Sequence, residues 1–145
     1  MSYLTLQEIY DTAVGGVLNQ GGRSRLDGLE KANSFLGNED LTKNCAYRGP
    51  NGEKCPVGFL IKDEYYNPEI ENETLDNKSS KIYEYLKKSG VDVDDHQTFW
   101  LLLNLQTVHD KDQILKWPLK FSQVARDHNL DPKIVDNYHE FYKVK

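Results

Sequence analysis

Apolar residues return at helical spacing along most of this chain, and the polar residues between them mark where each helix should stop. Leu6, Ile9, Tyr10, Ala13, Val14, Val17 and Leu18 follow the capping box Thr5-Leu6-Gln7-Glu8, which predicts a first helix to about Gln20, ended by Gly21-Gly22. Gly15 and Gly16 inside it each cost roughly 1 kcal/mol against alanine, so either another backbone packs close there or the helix bends. Residues 23–44 are polar and broken by Gly28 and Gly37, with a short helix expected around Leu29 to Phe35. Val57, Leu60, Ile61 and Tyr65 form a further helical stripe that ends before Pro68, since the residue preceding a proline avoids helical dihedrals. Ser79 can cap a helix carrying Ile82, Tyr83, Tyr85 and Leu86 and closed by Gly90. Asp94 or Asp95 can cap the next, in which Phe99 to Leu103 is apolar nearly all round and Leu105 and Val108 continue the pattern. That marks it as the central helix, with Trp100, Leu103, Phe121 and Ile134 expected to be buried together. Trp117-Pro118 opens a helix with Leu119, Phe121, Val124 and Ala125 inward and Asn129 as its left-handed end. Asp131-Pro132 opens the last, with Ile134, Val135, Tyr138 and Phe141 on one face.

The helical rhythm breaks at Cys45-Ala-Tyr-Arg-Gly-Pro-Asn-Gly-Glu-Lys-Cys55. Pro50 and Asn51 suit the centre of a type I turn and Gly52 the left-handed residue after it, which predicts a β-hairpin over about 45–55 with Tyr47 opposite Cys55. Side-chain alternation then puts Cys45, Tyr47 and Cys55 on one face and Ala46, Arg48 and Lys54 on the other. Pro56 suits the first position of a following helix, which makes Cys55 its cap. The expected fold is therefore α+β and mainly α: a single domain, 1–145, of five or six short helices with one β-hairpin.

Composition narrows the function classes. The chain of 145 residues is long enough for one core, and its net charge of −5 gives no global footprint for nucleic acid or an anionic membrane. Met1-Ser2-Tyr3 leads straight into amphipathic helix, and no apolar run approaches the roughly 18 residues of a membrane span. A soluble cytoplasmic protein is expected, with its two cysteines as free thiols lying near each other at the hairpin base. Six carboxylates and no basic residue lie between Asp63 and Asp76. That acidic loop, about 63–78, is either a solvated surface or a patch that docks on a basic partner.

Several residues could carry chemistry. Cys55 at a helix N-terminus has its thiolate favoured by the helix dipole, and His109-Asp110 downstream offers a base, so Cys55, His109 and Asp110 are the catalytic candidates. The alternative is that Cys55 is a small buried apolar residue and that His109 ties the central helix to the hairpin, with Gln106 one turn earlier on the same side. A metal would draw on Cys45, Cys55 and His109 with His128 or Asp110, but nine residues between the cysteines is not the close pairing that structural zinc favours. Arg48 and Lys54, on one face beside Tyr47, offer a phosphate or carboxylate site; the alternative is an ordinary tight turn whose charges keep a sheet edge soluble. Tyr47, Arg48, Lys54 and Gln106 are the binding candidates, and no cofactor motif is present.

The string Cys45-x-Tyr47-Arg48-Gly49-Pro50-x-Gly52-x-x-Cys55-x-x-Gly58-x-Leu60-Ile61, followed by Asp63-Glu64-Tyr65-Tyr66, resembles a family of small uncharacterised proteins encoded by tailed phages and prophages. Weaker matches flank it at Leu18-x-Gln20-Gly21-x-x-Ser24 and at Leu105-Gln106-x-x-His109-Asp110 with Trp117. The chain departs from the pattern in Pro56, where alanine is usual, and in a longer segment between Ser24 and Cys45. The resemblance implies a phage origin but no activity. It suggests an accessory protein that binds a host component, a protein or a small nucleotide, as a host-takeover or defence-inhibiting factor. The alternative is a Cys-dependent hydrolase or transferase using Cys55 and His109.

Overall fold

The computed structural model describes residues 3–25, 28–31, 46–73, 75, 80–138 and 142. These form a mainly helical structure. In chain order come α1 (Leu6–Gln20), β1 (Gly22–Arg25), β2 (Gly28–Lys31), α2 (Pro56–Leu60), α3 (Lys81–Lys88), α4 (His96–Lys111), α5 (Trp117–Asp127) and α6 (Lys133–Asp136), with short 3-10 turns at Asp63–Tyr65, Pro68–Asn72 and Ile114–Lys116. No described helix is long and apolar enough to cross a membrane.

Helix α1 is the organising strut. Its capping box closes at both ends: the Glu8 amide donates to Thr5 Oγ1 at 3.1 Å, and the Thr5 amide donates to Glu8 Oε1 at 2.9 Å. Its buried stripe of Ile9, Tyr10, Ala13, Val14, Val17 and Leu18 packs against α2, α4, α5 and α6. The glycine pair is explained by close packing, though against side chains rather than backbone. A Cβ on Gly16 would stand 2.7 Å from the Phe59 ring, and one on Gly15 would stand 3.3 Å from Ile134. The buried Tyr10 hydroxyl donates to the Phe121 carbonyl at 2.8 Å and ties α1 to α5.

Helix α4 is capped by Asp95, whose carboxylate accepts from the Thr98 amide at 3.0 Å. It buries Leu101, Leu102, Leu105, Val108 and His109, but Trp100 is half exposed and Leu103 only partly buried. The expected cluster of Trp100, Leu103, Phe121 and Ile134 is therefore corrected: Phe121 is buried, Ile134 lies partly buried against α1, and Trp100 faces outward against His128. An all-apolar run of five residues must put one of them on the outer face of a helix that packs on one side. Leu119 on α5 is likewise exposed rather than inward. Asn129 does adopt the left-handed conformation, at φ 57°.

Two further expectations change. The residues from Leu29 to Lys31 are strand, not helix, paired antiparallel with β1 in the register Arg25↔Gly28 to Gly22↔Lys31; residues 32–35 lie outside the described residues. The stripe from Val57 to Tyr65 is one short helix, α2, then a separate 3-10 turn. The expected hairpin over 45–55 forms no strands among the described residues: a single antiparallel bridge joins Arg48 and Lys54. The Gly49 amide donates to Glu53 O at 2.7 Å and the Cys55 amide to Tyr47 O at 3.1 Å, with Gly52 at φ 89°. Cys45 and Phe141 lie outside the described residues.

Candidate functional site

The segment from Ala46 to Glu73 has little regular structure to satisfy its backbone, so its N–H and C=O groups must find partners elsewhere. Side chains supply many of them. Gln20 at the end of α1 acts at both ends of its amide: Nε2 donates to Lys54 O at 2.8 Å and Oε1 accepts from the Lys54 amide at 2.8 Å. Gln106 Oε1 on α4 accepts from the Val57 amide at 3.0 Å, serving one of the unpaired N–H groups that open α2. Tyr47 Oη donates to Glu73 O at 2.7 Å, and burial holds its hydroxyl proton firmly. Glu71 accepts the Tyr47 and Arg48 amides at 2.8 and 3.0 Å and the Tyr66 hydroxyl as well.

The cysteine and histidine belong to the same construction. Cys55 is the N-cap of α2, where its Sγ accepts the Gly58 amide at 3.4 Å. It is buried. Burial pushes its thiol well above the ordinary range, helped by the charge of Asp110 and opposed by the Gly58 and Gln106 hydrogen bonds. The helix-dipole effect that favours a thiolate is thus outweighed by desolvation. His109 is fully buried on α4, with Nε2 accepting the Ser24 amide at 3.1 Å and Nδ1 2.8 Å from Asp110 Oδ1. Acceptance at Nε2 assigns the proton to Nδ1, which donates it to Asp110. A histidine base would need that Nε2 lone pair for a substrate or a thiol. The ring also stacks on Trp117, centroids 5.5 Å apart, while Arg23 lies over the other ring of the pair at 5.7 Å and donates through Nε to His109 O at 2.5 Å.

Arg48 and Lys54 converge at the turn. Asp63 Oδ1 lies 2.7 Å from Arg48 Nη1 and 3.8 Å from Lys54 Nζ. The Arg48 hydrogen bond and charge hold the Asp63 carboxyl below its usual range. Arg48 also donates to Ile61 O at 2.5 Å and covers the Tyr66 ring at 4.6 Å; Lys54 Nζ lies 5.5 Å from the Phe59 ring centre. The acidic stretch thus folds back onto the motif. Two of its other carboxylates have local partners: Glu69 bonds Lys81 and Tyr85, and Glu73 accepts the Lys81 amide at 2.7 Å.

The three separated sequence matches meet here: Gln20 and Ser24 from the first, the 46–66 turn and helix from the second, and Gln106, His109, Asp110 and Trp117 from the third. Reasoning from residue types missed Arg23, Glu71 and Asp63. The Arg23-Ser-Arg triplet after Gly22, in a segment otherwise polar, was the available signal for a buried cation, and Glu71 carried none. Of the metal candidates, Cys45 lies outside the described residues, and His128 sits apart from Cys55 and His109 with Asn104 and Trp100. Among the described residues no cluster of three or more histidine, cysteine or acidic side chains is arranged to hold a metal. No family model, curated protein or solved structure matches the chain.

Proposed function

We propose that this is a small phage-encoded protein that acts in the cytoplasm of the host cell by binding a host component, a protein or a small nucleotide, as a host-takeover or defence-inhibiting factor. In this reading residues 45–55 act as a β-hairpin whose tip meets the partner. One observation supports it best: the motif exposes Pro50, Asn51 and Gly52 at its tip and buries the Cys55 thiol at its base. Exposed loop residues on a rigid base are where recognition is usually placed. A Cys-dependent hydrolase or transferase would need the reverse, an accessible thiolate and a free base.

The test treats native protein at neutral pH with a cysteine-directed electrophile and captures partners from host lysate. Cys55 should stay unlabelled, and Lys54→Ala should lose a component that Cys55→Ser retains. Labelling of Cys55 at the rate of an unstructured peptide thiol would instead favour the enzyme.

A further inference from the structure

We infer that Arg48 and Lys54 form a site for a phosphate monoester dianion, which Asp63 occupies in the free protein as a tethered stand-in. This deepens the reading of the turn as a binding face and rests on it. The two cations point at one place, because a single oxygen, Asp63 Oδ1, lies 2.7 Å from Arg48 Nη1 and 3.8 Å from Lys54 Nζ. Their positions are not owed to Asp63. Arg48 is anchored by Ile61 O and the Tyr66 ring, and Lys54 lies beside the Phe59 ring, so the pair stays in place when the carboxylate leaves. Arg48 keeps a buried Nε without a hydrogen-bond partner.

Asp63 is free to leave. Its side chain is 83% exposed, and it opens a one-turn 3-10 helix with no buried residue. Glu71 is different: it is bonded to two motif amides and follows the fully buried Ile70, so it stays and offsets part of the positive charge. With Asp63 displaced, Arg48, Lys54 and Glu71 leave one net positive charge facing the ligand. A free carboxylate only matches Asp63 and lacks its tether. A phosphate monoester carries up to about two negative charges and three acceptor oxygens, so it can bridge both cations at once and outcompete the tethered group.

The test titrates the full chain with inorganic phosphate and with a nucleoside 5′-monophosphate at constant ionic strength, reading the Lys54 and Asp63 amide resonances. Asp63→Asn should bind both about three- to five-fold more tightly than the native chain, the gain set by loss of one exposed ion-pair competitor. Lys54→Ala should bind both more weakly, with each variant folded by circular dichroism. Equal affinity in the native chain and Asp63→Asn, equal affinity in the native chain and Lys54→Ala, or exclusion of the ester while inorganic phosphate binds, would overturn the assignment. If phosphate fails while Lys54→Ala still loses the host component, only this inference falls. If Cys55 is labelled in the native protein, the binding reading falls whatever phosphate does.

Discussion

A Cβ on Gly58 would stand 1.9 Å from the carbonyl oxygen of Tyr47, a backbone atom already accepting the Cys55 amide. No side-chain rotation relieves such a contact, so Gly58→Ala should cost about 3 kcal/mol or more despite alanine's better helix propensity. Urea denaturation measures it; a variant as stable as the parent would mean that α2 and the turn are not packed this closely. Cys55 next door makes an independent prediction. Because its sulfur is buried and its thiol pushed up, iodoacetamide at neutral pH should modify it only as fast as the protein opens. Adding denaturant should therefore raise its labelling rate by orders of magnitude.

At the scale of elements, the turn and α2 are held by side chains reaching in from α1, α4 and the Pro68–Asn72 turn. Glu71 is the test of this arrangement. Glu71→Ala strands the Tyr47 and Arg48 amides and should cost about 2–3 kcal/mol, whereas Glu71→Gln keeps one acceptor oxygen and should cost less. Equal stability of the two variants in thermal melts would show that the carboxylate does not serve those amides. Which parts were legible in advance follows from the same physics. Local rules were readable, because caps and periodicity act over one or two turns: the Thr5 box, Cys55 and Asp95 as caps, Gly52 and Asn129 as left-handed residues. The β1–β2 pair was not, since Arg23, Ser24 and Arg25 are polar yet buried and present no alternation, and only the Asp27-Gly28 dipeptide hinted at a hairpin. The roles of Gln20, Gln106 and Glu71 depend on meetings between residues far apart in the chain, which no local pattern encodes.

The two tryptophans divide the whole molecule into its inside and its outside. Trp117 is fully buried between His109, Phe121 and Tyr142, while Trp100, on the outer face of α4, is 50% exposed and meets the His128 ring at 4.5 Å between centroids. Truncating the inside is costly and altering the outside is not: Phe121→Ala should lose about 3–5 kcal/mol, and Trp100→Phe should stay within about 0.5 kcal/mol of the parent. Acrylamide should quench two emitting populations in the native protein and only a shielded one in Trp100→Phe. Acidity gives a second handle on the same face. Desolvation, partly opposed by Asp127, holds His128 below its ordinary pKa, and its Nε2 lies 2.8 Å from the Asn104 amide nitrogen. The unfolded chain accepts this proton from about pH 6.5 downward, the folded chain only at lower pH, so the stability contribution of neutral His128 is present above that value and is lost as pH falls through the folded pKa. Protonated imidazole quenches indole, so Trp100 emission should fall along the same window, and both Trp100→Phe and His128→Gln should remove that step. If an accessible, pH-sensitive emission survives in Trp100→Phe, then Trp117 is not the enclosed residue, and the packing of α5 against α1 and α4 is not as described.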